Sequence, residues 1–343
     1  MNDTYILGTM NTEAGIVTRV SSIWSSRDSW STIRVRWSVG RMNYSIKPGL
    51  YAVGKPDAGS SVFVTGNYKL SFDHVRRALN GMDAWMLVLD TKGINVWCAA
   101  GKGTFGTSEL EQRIKMHELE KLVTHRTLIV PQLGAVGVSA HEIKRNTGFR
   151  IVYGPVRAED IKAFVTSGFR TTPEMRKVQF TLLDRVKLIP VELAYGGYYL
   201  ILIPAIFFIL SGLYAHGYSF DKAWVNGGKA IINLIGAYMA GCVLTPILLP
   251  WIPFKRFSLK GLLIGWILAA VLALYHFSGN NIVEIVSWFL ITGGISSFLA
   301  MNFTGSSTFT SLSGVQKEMK LSLPMQIIAL GVGFTGWIIT RFI

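Results

Sequence analysis

The sequence predicts an α/β domain over residues 1–190 followed by an all-α transmembrane domain over residues 191–343, and three observations carry that reading. Half of the 343 residues are hydrophobic and the mean hydropathy is +0.37, more than a soluble domain of this length needs. Short apolar runs alternate with helical patterns between residues 62 and 168. Past residue 190 the chain becomes a series of five apolar spans joined by short polar links.

In chain order, the stretch from Tyr5 to Leu50 is rich in Thr, Ser, Trp and Val. Alternation such as Ile33-Arg34-Val35-Arg36-Trp37 predicts short antiparallel strands there, closed by a Lys47-Pro48-Gly49 turn. Val62-Phe63-Val64 reads as a brief buried strand, followed by a helix from about Asp73 to Leu79 that Asn80-Gly81 stops. Trp85 to Asp90 is the central strand, and a short loop after it carries Cys98. Ser108-Glu109-Leu110-Glu111 is a capping-box pattern that opens a helix to about Val123. Leu128-Ile129-Val130 and Arg150-Ile151-Val152-Tyr153 are further strands with a loop between them, and a helix from near Ala158 ends at Gly168.

Strands and helices alternating in this way predict a parallel or mixed sheet with helices on both faces, which takes ligands at the carboxyl ends of its strands. Thr65 to Tyr68, Asn95 to Thr104, Gln132 to Ala140 and Gly154 to Ala158 each follow a predicted strand, so four segments converge on one sheet edge. Glycine there allows close backbone approach, although Gly and Thr also make ordinary tight turns.

The five apolar spans run from about Leu193 to Tyr214, Ala230 to Leu249, Leu262 to Phe277, Ile282 to Phe303 and Leu321 to Ile339. Each is about long enough for a hydrocarbon core of roughly 30 Å, with Pro204 and Pro246 as tolerable kinks. Lys255, Arg256, Lys260, Lys317 and Lys320 are expected in alternate loops, whereas Ser278-Gly279-Asn280-Asn281 carries no charge. That asymmetry predicts a cytoplasmic-membrane protein with its first domain and basic loops in the cytoplasm and its C-terminus outside. Ionisable side chains are scarce inside the spans, His276 and Glu284 lying near a boundary, which argues against an ion-coupled transporter. Gly293-Gly294 reads as a helix contact, and Asn302 to Thr310 as either a connector or a functional loop.

The net charge of +14 is dispersed, with no basic run interleaved with aromatics, so nucleic acid is not an expected partner. Much of the excess flanks the apolar spans, which suits an anionic lipid face, and it also suits an acidic protein partner. The two cysteines, Cys98 and Cys242, lie in unlike contexts and imply no disulfide, so a reducing compartment is expected. Residues 1–30 show no secretory leader pattern, and the first domain is expected to stay on the side where it is made.

Asn95-Val96-Trp97-Cys98-Ala99-Ala100-Gly101-Lys102-Gly103-Thr104 places one of those cysteines between the central strand and a helix. A phosphate loop is excluded, because Val96 and Gly103 stand where that motif needs Gly and Ser or Thr. A c-type haem site is excluded too, since neither a second cysteine nor a following histidine is present. By residue type alone, a lone cysteine in apolar company is more often an inert core residue than a ligand.

The segment instead resembles the cap signature of the HgcA family, the corrinoid proteins of microbial mercury methylation, which is related to the large subunit of the corrinoid iron-sulfur protein of acetyl-CoA metabolism. The resemblance continues through Thr104-Phe105-Gly106-Thr107-Ser108-Glu109-Leu110, Pro131-Gln132-Leu133-Gly134-Ala135, Tyr153-Gly154-Pro155-Val156-Arg157-Ala158 and Pro173-Glu174-Met175-Arg176, and covers essentially the whole chain. It implies a Rossmann-like corrinoid-binding domain and a cobalt corrinoid of the cobalamin type, with Cys98 as the lower axial ligand of cobalt. The expected corrinoid contacts are Thr65, Asn67, Asn95, Val96, Trp97, Cys98, Ala99, Gly101, Lys102, Thr104, Gly134, Ala135, Gly154 and Pro155. Trp97 covers the corrin edge or packs as core, and Lys102 meets a propionamide or phosphate or is simply solvated. The implied reaction is transfer of a cobalt-bound methyl group to Hg(II) to give methylmercury. The implied partners are an HgcB-like ferredoxin with iron-sulfur clusters as reductant and a folate-type methyl donor or its methyltransferase. A corrinoid methyl carrier of acetyl-CoA-type one-carbon metabolism is the alternative, and a transporter or sensor with a soluble regulatory domain is a weaker one.

Overall fold

The computed structural model of the chain describes residues 5–303 and 312–343. It divides into two compact units, one of Met1–Val35 and Val39–Gln179 and one of Arg36–Ser38 and Phe180–Ile343.

The first unit contains β1 (Ile6–Thr12), β2 (Gly15–Val20), α1 (Ser26–Arg36), β3 (Gly49–Val53), β4 (Val62–Gly66), α2 (Lys69–Ala78), β5 (Ala84–Leu89), α3 (Val96–Lys102), α4 (Thr107–Met116), α5 (Leu119–Leu122), β6 (Thr127–Val130), α6 (Ala140–Thr147), β7 (Arg150–Tyr153) and α7 (Ile161–Thr166). The seven strands form one mixed sheet in the order β1-β2-β3-β5-β4-β6-β7. β4 pairs in parallel with both β5 and β6, and β6 in parallel with β7, while β3 runs antiparallel to β5. β3, β4 and β5 are buried along their whole length, as strands covered on both faces must be.

Alternate strand residues feed two cores. Val62, Val64, Trp85, Leu87 and Leu89 pack with Ala99, Leu110, Ile114, Leu119 and Ile143, which puts α3 to α6 on one face. Phe63, Met86 and Val88 pack with Phe72, Leu79, Ile161 and Phe164, which puts α2 and α7 on the other. The crossovers from β4 to β5 and from β6 to β7 run in opposite directions over opposite faces, and so share one hand.

Several elements differ from expectation. Ile33 to Trp37 is not a strand, because α1 buries Asp28 and Val35 on one side and leaves Trp30 and Ile33 exposed. Its anchor is ionic: fully buried Arg76 of α2 pairs with Asp73 at 2.8 Å and with Asp28, and donates to the carbonyl of Ser21 at 2.8 Å. Alternation of apolar residues could not reveal an element held by a buried guanidinium. α2 starts at Lys69, whose amine reaches Asp73 at 2.6 Å one turn later. α4 is capped by Gly106 with no side-chain cap, and the chain breaks at Glu118, which has φ 44, so the expected single helix to Val123 is two. The link between β6 and β7 holds α6, whose ends lie at Ser139 and at left-handed Gly148.

The second unit contains α8 (Leu182–Val186), α9 (Ile189–Gly196), α10 (Tyr199–Leu210), a hairpin of β8 (Leu213–Tyr214) and β9 (Gly217–Tyr218), α11 (Phe220–Met239), a π-turn over Ala240–Leu244, α12 (Thr245–Leu248), α13 (Phe257–Leu274), α14 (Ile282–Asn302) and α15 (Leu312–Ile339). Among the described residues four helices are long and apolar enough to cross a membrane, namely Phe220–Leu248, Phe257–Leu274, Ile282–Asn302 and Gly314–Ile339. The expected first span is instead a pair, Leu182–Gly196 and Tyr199–Leu210, bent by 52°. Lys260, Lys317 and Lys320 lie in helices rather than loops. Lys260 is buried because its amine donates to the Leu249 and Ile252 carbonyls, which a helix end leaves without partners. Of the Asn302 to Thr310 segment, residues 304–310 lie outside the described residues.

Small residues set the contact between α13 and α14. A Cβ at Gly261 would lie 2.4 Å from the Ser296 carbonyl, and one at Gly265 2.8 Å from that of Thr292. Gly293 and Gly294 serve two neighbours, abutting Trp266 of α13 and Leu330 of α15. This is how apolar helices associate where lipid offers no hydrophobic driving force.

Two outcomes follow for the first unit. Arg76→Ala leaves Asp28 without its paired cation and Asp73 with Lys69 alone, and should cost about 3–5 kcal/mol, read as lost hydrogen-exchange protection of α1 and α2 amides. His117, pushed below the ordinary imidazole value of 6.5 by burial and then by Arg113, resists protonation when folded. The unfolded chain therefore takes the proton first, so stability is complete above pH about 6.5 and declines as the pH is lowered through the depressed folded value. Protection of β3 and α4 amides should fall on that acid side, and His117→Phe should flatten the slope.

Candidate functional site at the carboxyl edge of the sheet

The parallel strands β4, β5, β6 and β7 end together at Gly66, Leu89, Val130 and Tyr153, so the four segments singled out in the sequence leave from one edge. The connections leave β4 and β6 toward opposite faces, which opens the crevice where such sheets bind ligands. Asn67 follows β4 and Gln132 follows β6, so both stand at this crevice.

The segment carrying Cys98 is a helix rather than a loop. Asn95 caps α3 by accepting the Cys98 amide at 2.9 Å, and left-handed Gly103 with φ 80 ends it. Val96, Ala99 and Ala100 are buried against the sheet, which fixes the rotation of the helix. Trp97, Cys98, Gly101 and Lys102 are consequently exposed on its outer surface, and a Cβ at Gly101 would meet nothing within 4 Å. The thiol is thus presented at a fixed position with open space beside it.

α3 is seated against β4 and the Gln132–Gly134 turn by close contacts. A Cβ at Gly134 would lie 2.4 Å from the Phe105 ring, and one at Gly137 2.1 Å from the Phe105 carbonyl, so only glycine lets this turn approach. The Thr107 amide donates to the Gly137 carbonyl at 3.1 Å, and the Tyr153 hydroxyl to the Val138 carbonyl at 2.7 Å.

Other expected contacts have structural positions. Thr65 is buried and, by strand alternation, shares the α2 face with Phe63, away from α3. Asn67 is buried: its carbonyl oxygen accepts from the Thr91 amide, the Thr91 hydroxyl and the Gly93 amide at 2.9–3.0 Å, and its amide donates to Asp90 at 3.2 Å. That knot ties the ends of β4 and β5. Asp90 is held below the usual carboxylate range, chiefly by the hydrogen bond from Lys92. Val96, Ala99, Gly134, Gly154 and Pro155 are buried, and Asn95, Thr104 and Ala135 are half-buried. The surface shared by the expected residues is therefore Trp97, Cys98, Gly101 and Lys102.

One residue of this edge was not among them. Gln132 is half-buried, and its Oε1 is sealed from solvent with no hydrogen-bond partner. A buried acceptor left open costs free energy unless something donates to it. The signal in the sequence was its place directly after Pro131 at a strand end. The exposed thiol, fixed on α3 with open space beside Gly101, would suit a group whose metal takes a soft ligand, as a corrinoid does. Among the described residues no cluster of three His, Cys, Asp or Glu is arranged to hold a metal by itself. A cavity of about 270 Å³ beside the β7 segment, lined by Val156, Arg157, Glu174, Met175 and Lys177 among others, falls below the usual ligand range of roughly 300–1,000 Å³ and is too small for a corrin.

Residues 37–165, which include this whole edge, match the family model described as CO dehydrogenase/acetyl-CoA synthase delta subunit. Among curated proteins, the chain is similar to acetyl-CoA decarbonylase/synthase complex subunit gamma of Archaeoglobus fulgidus, 32% identical over 139 residues, which is 39% of this chain and 29% of that one. The Methanopyrus kandleri protein of the same name is 30% identical over 122 residues, 35% of this chain and 26% of that one. Subunit gamma 2 of Methanosarcina thermophila is 32% identical over 120 residues, 34% of this chain and 25% of that one. The chain thus covers under a third of the length of these relatives, and the family match lies within its α/β part, leaving Phe180–Ile343 outside it.

Proposed function

We propose that the chain is a membrane-anchored, corrinoid-dependent methyltransferase whose Rossmann-like first unit holds a cobalt corrinoid against α3. The observation that carries the reading is the exposed Cys98 on a helix fixed at the carboxyl edge, within the region that matches the acetyl-CoA synthase family model. The four long apolar helices support multi-pass insertion in the cytoplasmic membrane with the first unit in the cytoplasm.

A bound corrinoid would supply methyl-transfer chemistry at its cobalt, and Cys98 is the residue that would hold the metal and, as a thiolate, donate electron density to it. The chain's own residues do the rest. Asn95 and the buried face of α3 hold the Cys98 backbone still, so the thiol would need little reorganisation to hold a metal and would give its proton to solvent on doing so. Lys102 would offer its exposed cation to a propionamide or phosphate of the bound group, and Trp97, exposed beside Cys98, would cover its edge. Reduction between turnovers calls for a ferredoxin-type iron-sulfur partner, and remethylation for a folate-type donor.

The acceptor is the finer point. The thiolate-ligand motif around Cys98 favours Hg(II), giving methylmercury. A methyl carrier of acetyl-CoA-type one-carbon metabolism is the second reading, and the relatives named as acetyl-CoA decarbonylase/synthase subunits favour it.

Cys98→Ala should abolish methylmercury formation and remove the thiolate-dependent part of the corrinoid spectrum, while Cys98→His should keep the cofactor and lose much of the transfer. Cys242→Ala, in the π-turn of the second unit, should change little. An unchanged corrinoid spectrum in Cys98→Ala sinks the ligand role, and methyl transfer to an acetyl-CoA-type acceptor but not to Hg(II) would decide for the second reading.

A further inference from the structure

α1 keeps one face in the first unit and turns the opposite one outward. Asp28 and Val35 are buried, whereas Trp30 is 63% exposed and Ile33 48% exposed, and Trp37 directly after the helix is 48% exposed. At 100° per residue Ile33 and Trp30 fall within one narrow arc, and Arg34 and Arg27 border it on one side. Val39 and Met42 follow, Met42 at 86% exposed. The stretch from Ser26 to Asn43 carries Arg27, Arg34, Arg36 and Arg41 against a single acid, Asp28, which is already paired with Arg76.

An apolar arc of tryptophan and isoleucine bordered by exposed arginines is the composition of a helix that lies in a membrane interface, with indole rings at headgroup level and guanidinium groups at lipid phosphates. It is a poor face for water, and a protein groove would leave Arg27 and Arg34 to be desolvated. Among the described residues four helices are long and apolar enough to cross a bilayer, so the membrane reading puts a lipid surface within reach.

We propose that α1 forms an in-plane anchor on an anionic membrane, with Trp30 and Ile33 entering the headgroup boundary and Arg27 and Arg34 meeting lipid phosphates. The anchor rests on the membrane reading given above, and fixes the orientation of the methyl-transfer unit at the lipid surface.

The test uses the full chain in nanodiscs containing phosphatidylglycerol, with Cys98→Ser and Cys242→Ser, and a nitroxide at one position in turn: Ile33→Cys on α1, Ile328→Cys on α15, or Glu120→Cys on α5. Accessibility to oxygen and to a water-soluble nickel chelate separates lipid from solvent. The expected result is that Ile33 and Ile328 both favour oxygen, that Glu120 favours the nickel reagent, and that Ile33 shifts toward nickel in discs of phosphatidylcholine alone. If Ile33 matches Glu120 while Ile328 favours oxygen, the anchor is wrong and the membrane reading stands. If Ile328 also matches Glu120, the membrane reading falls and the anchor with it. Shielding of Ile33 from both reagents means that protein covers this face and overturns the proposal, and an oxygen preference independent of lipid charge overturns the role given to Arg27 and Arg34.

Discussion

The placement of β4 between β5 and β6, parallel to both, is the constraint on which the first unit depends. A parallel neighbour on each side needs two crossovers, and a common hand sends them over opposite faces when they run in opposite directions. The sheet is thereby covered on both sides, which is why Val62–Gly66 is buried throughout. The same reversal leaves a crevice at the carboxyl ends of β4 and β6, and α3 sits against it because its small buried face of Val96, Ala99 and Ala100 fits closely on the sheet.

Around that frame, polar groups rather than apolar area hold the less regular parts in place. Asn67 gathers donors from Thr91 and Gly93 on one oxygen, so the chain after β5 is fixed relative to the end of β4 before α3 begins. Arg76 does the equivalent for the N-terminal segment, gathering Asp28, Asp73 and the Ser21 and Ile23 carbonyls around one guanidinium. Every partner of such a group is needed, because an uncompensated buried charge costs more than the pair contributes. The open acceptor of Gln132 departs from this pattern of satisfied groups, and it lies at the crevice.

The second unit follows different physics. Its long helices expose isoleucine, leucine and phenylalanine outward, as with Ile327 and Ile328 on α15, and meet one another through glycine and serine. Serine and glutamine supply specific links, Ser296 donating to the Gly261 carbonyl and Gln326 to Ser297. Glu318 of α15 accepts the Ser258 amide at 2.6 Å near the start of α13, and Lys260 donates to the Leu249 and Ile252 carbonyls, so these two buried ionisable residues bond helix termini.

Strong local periodicity made much of this legible in the sequence. Burial on both faces leaves continuous apolar runs, so β4, β5, β6 and β7 were identifiable, and apolar spans longer than a soluble helix needs marked the second unit. The convergence of Asn95 to Thr104 and Gln132 to Ala140 on one edge followed from their positions after those strands, and Cys98 stood out as a lone cysteine between a strand and a helix. What only tertiary structure decided is whatever depends on a distant partner. α1 is a helix because Arg76, 48 residues beyond Asp28, neutralises it, and no local pattern encodes that contact. The Asn67 oxygen is occupied by Thr91 and Gly93, whereas that of Gln132, which the sequence marked only as the first residue of an edge segment, has no donor. Periodicity reports which face of an element is apolar, but whether a polar atom on that face is already satisfied depends on groups that the fold brings in from elsewhere in the chain.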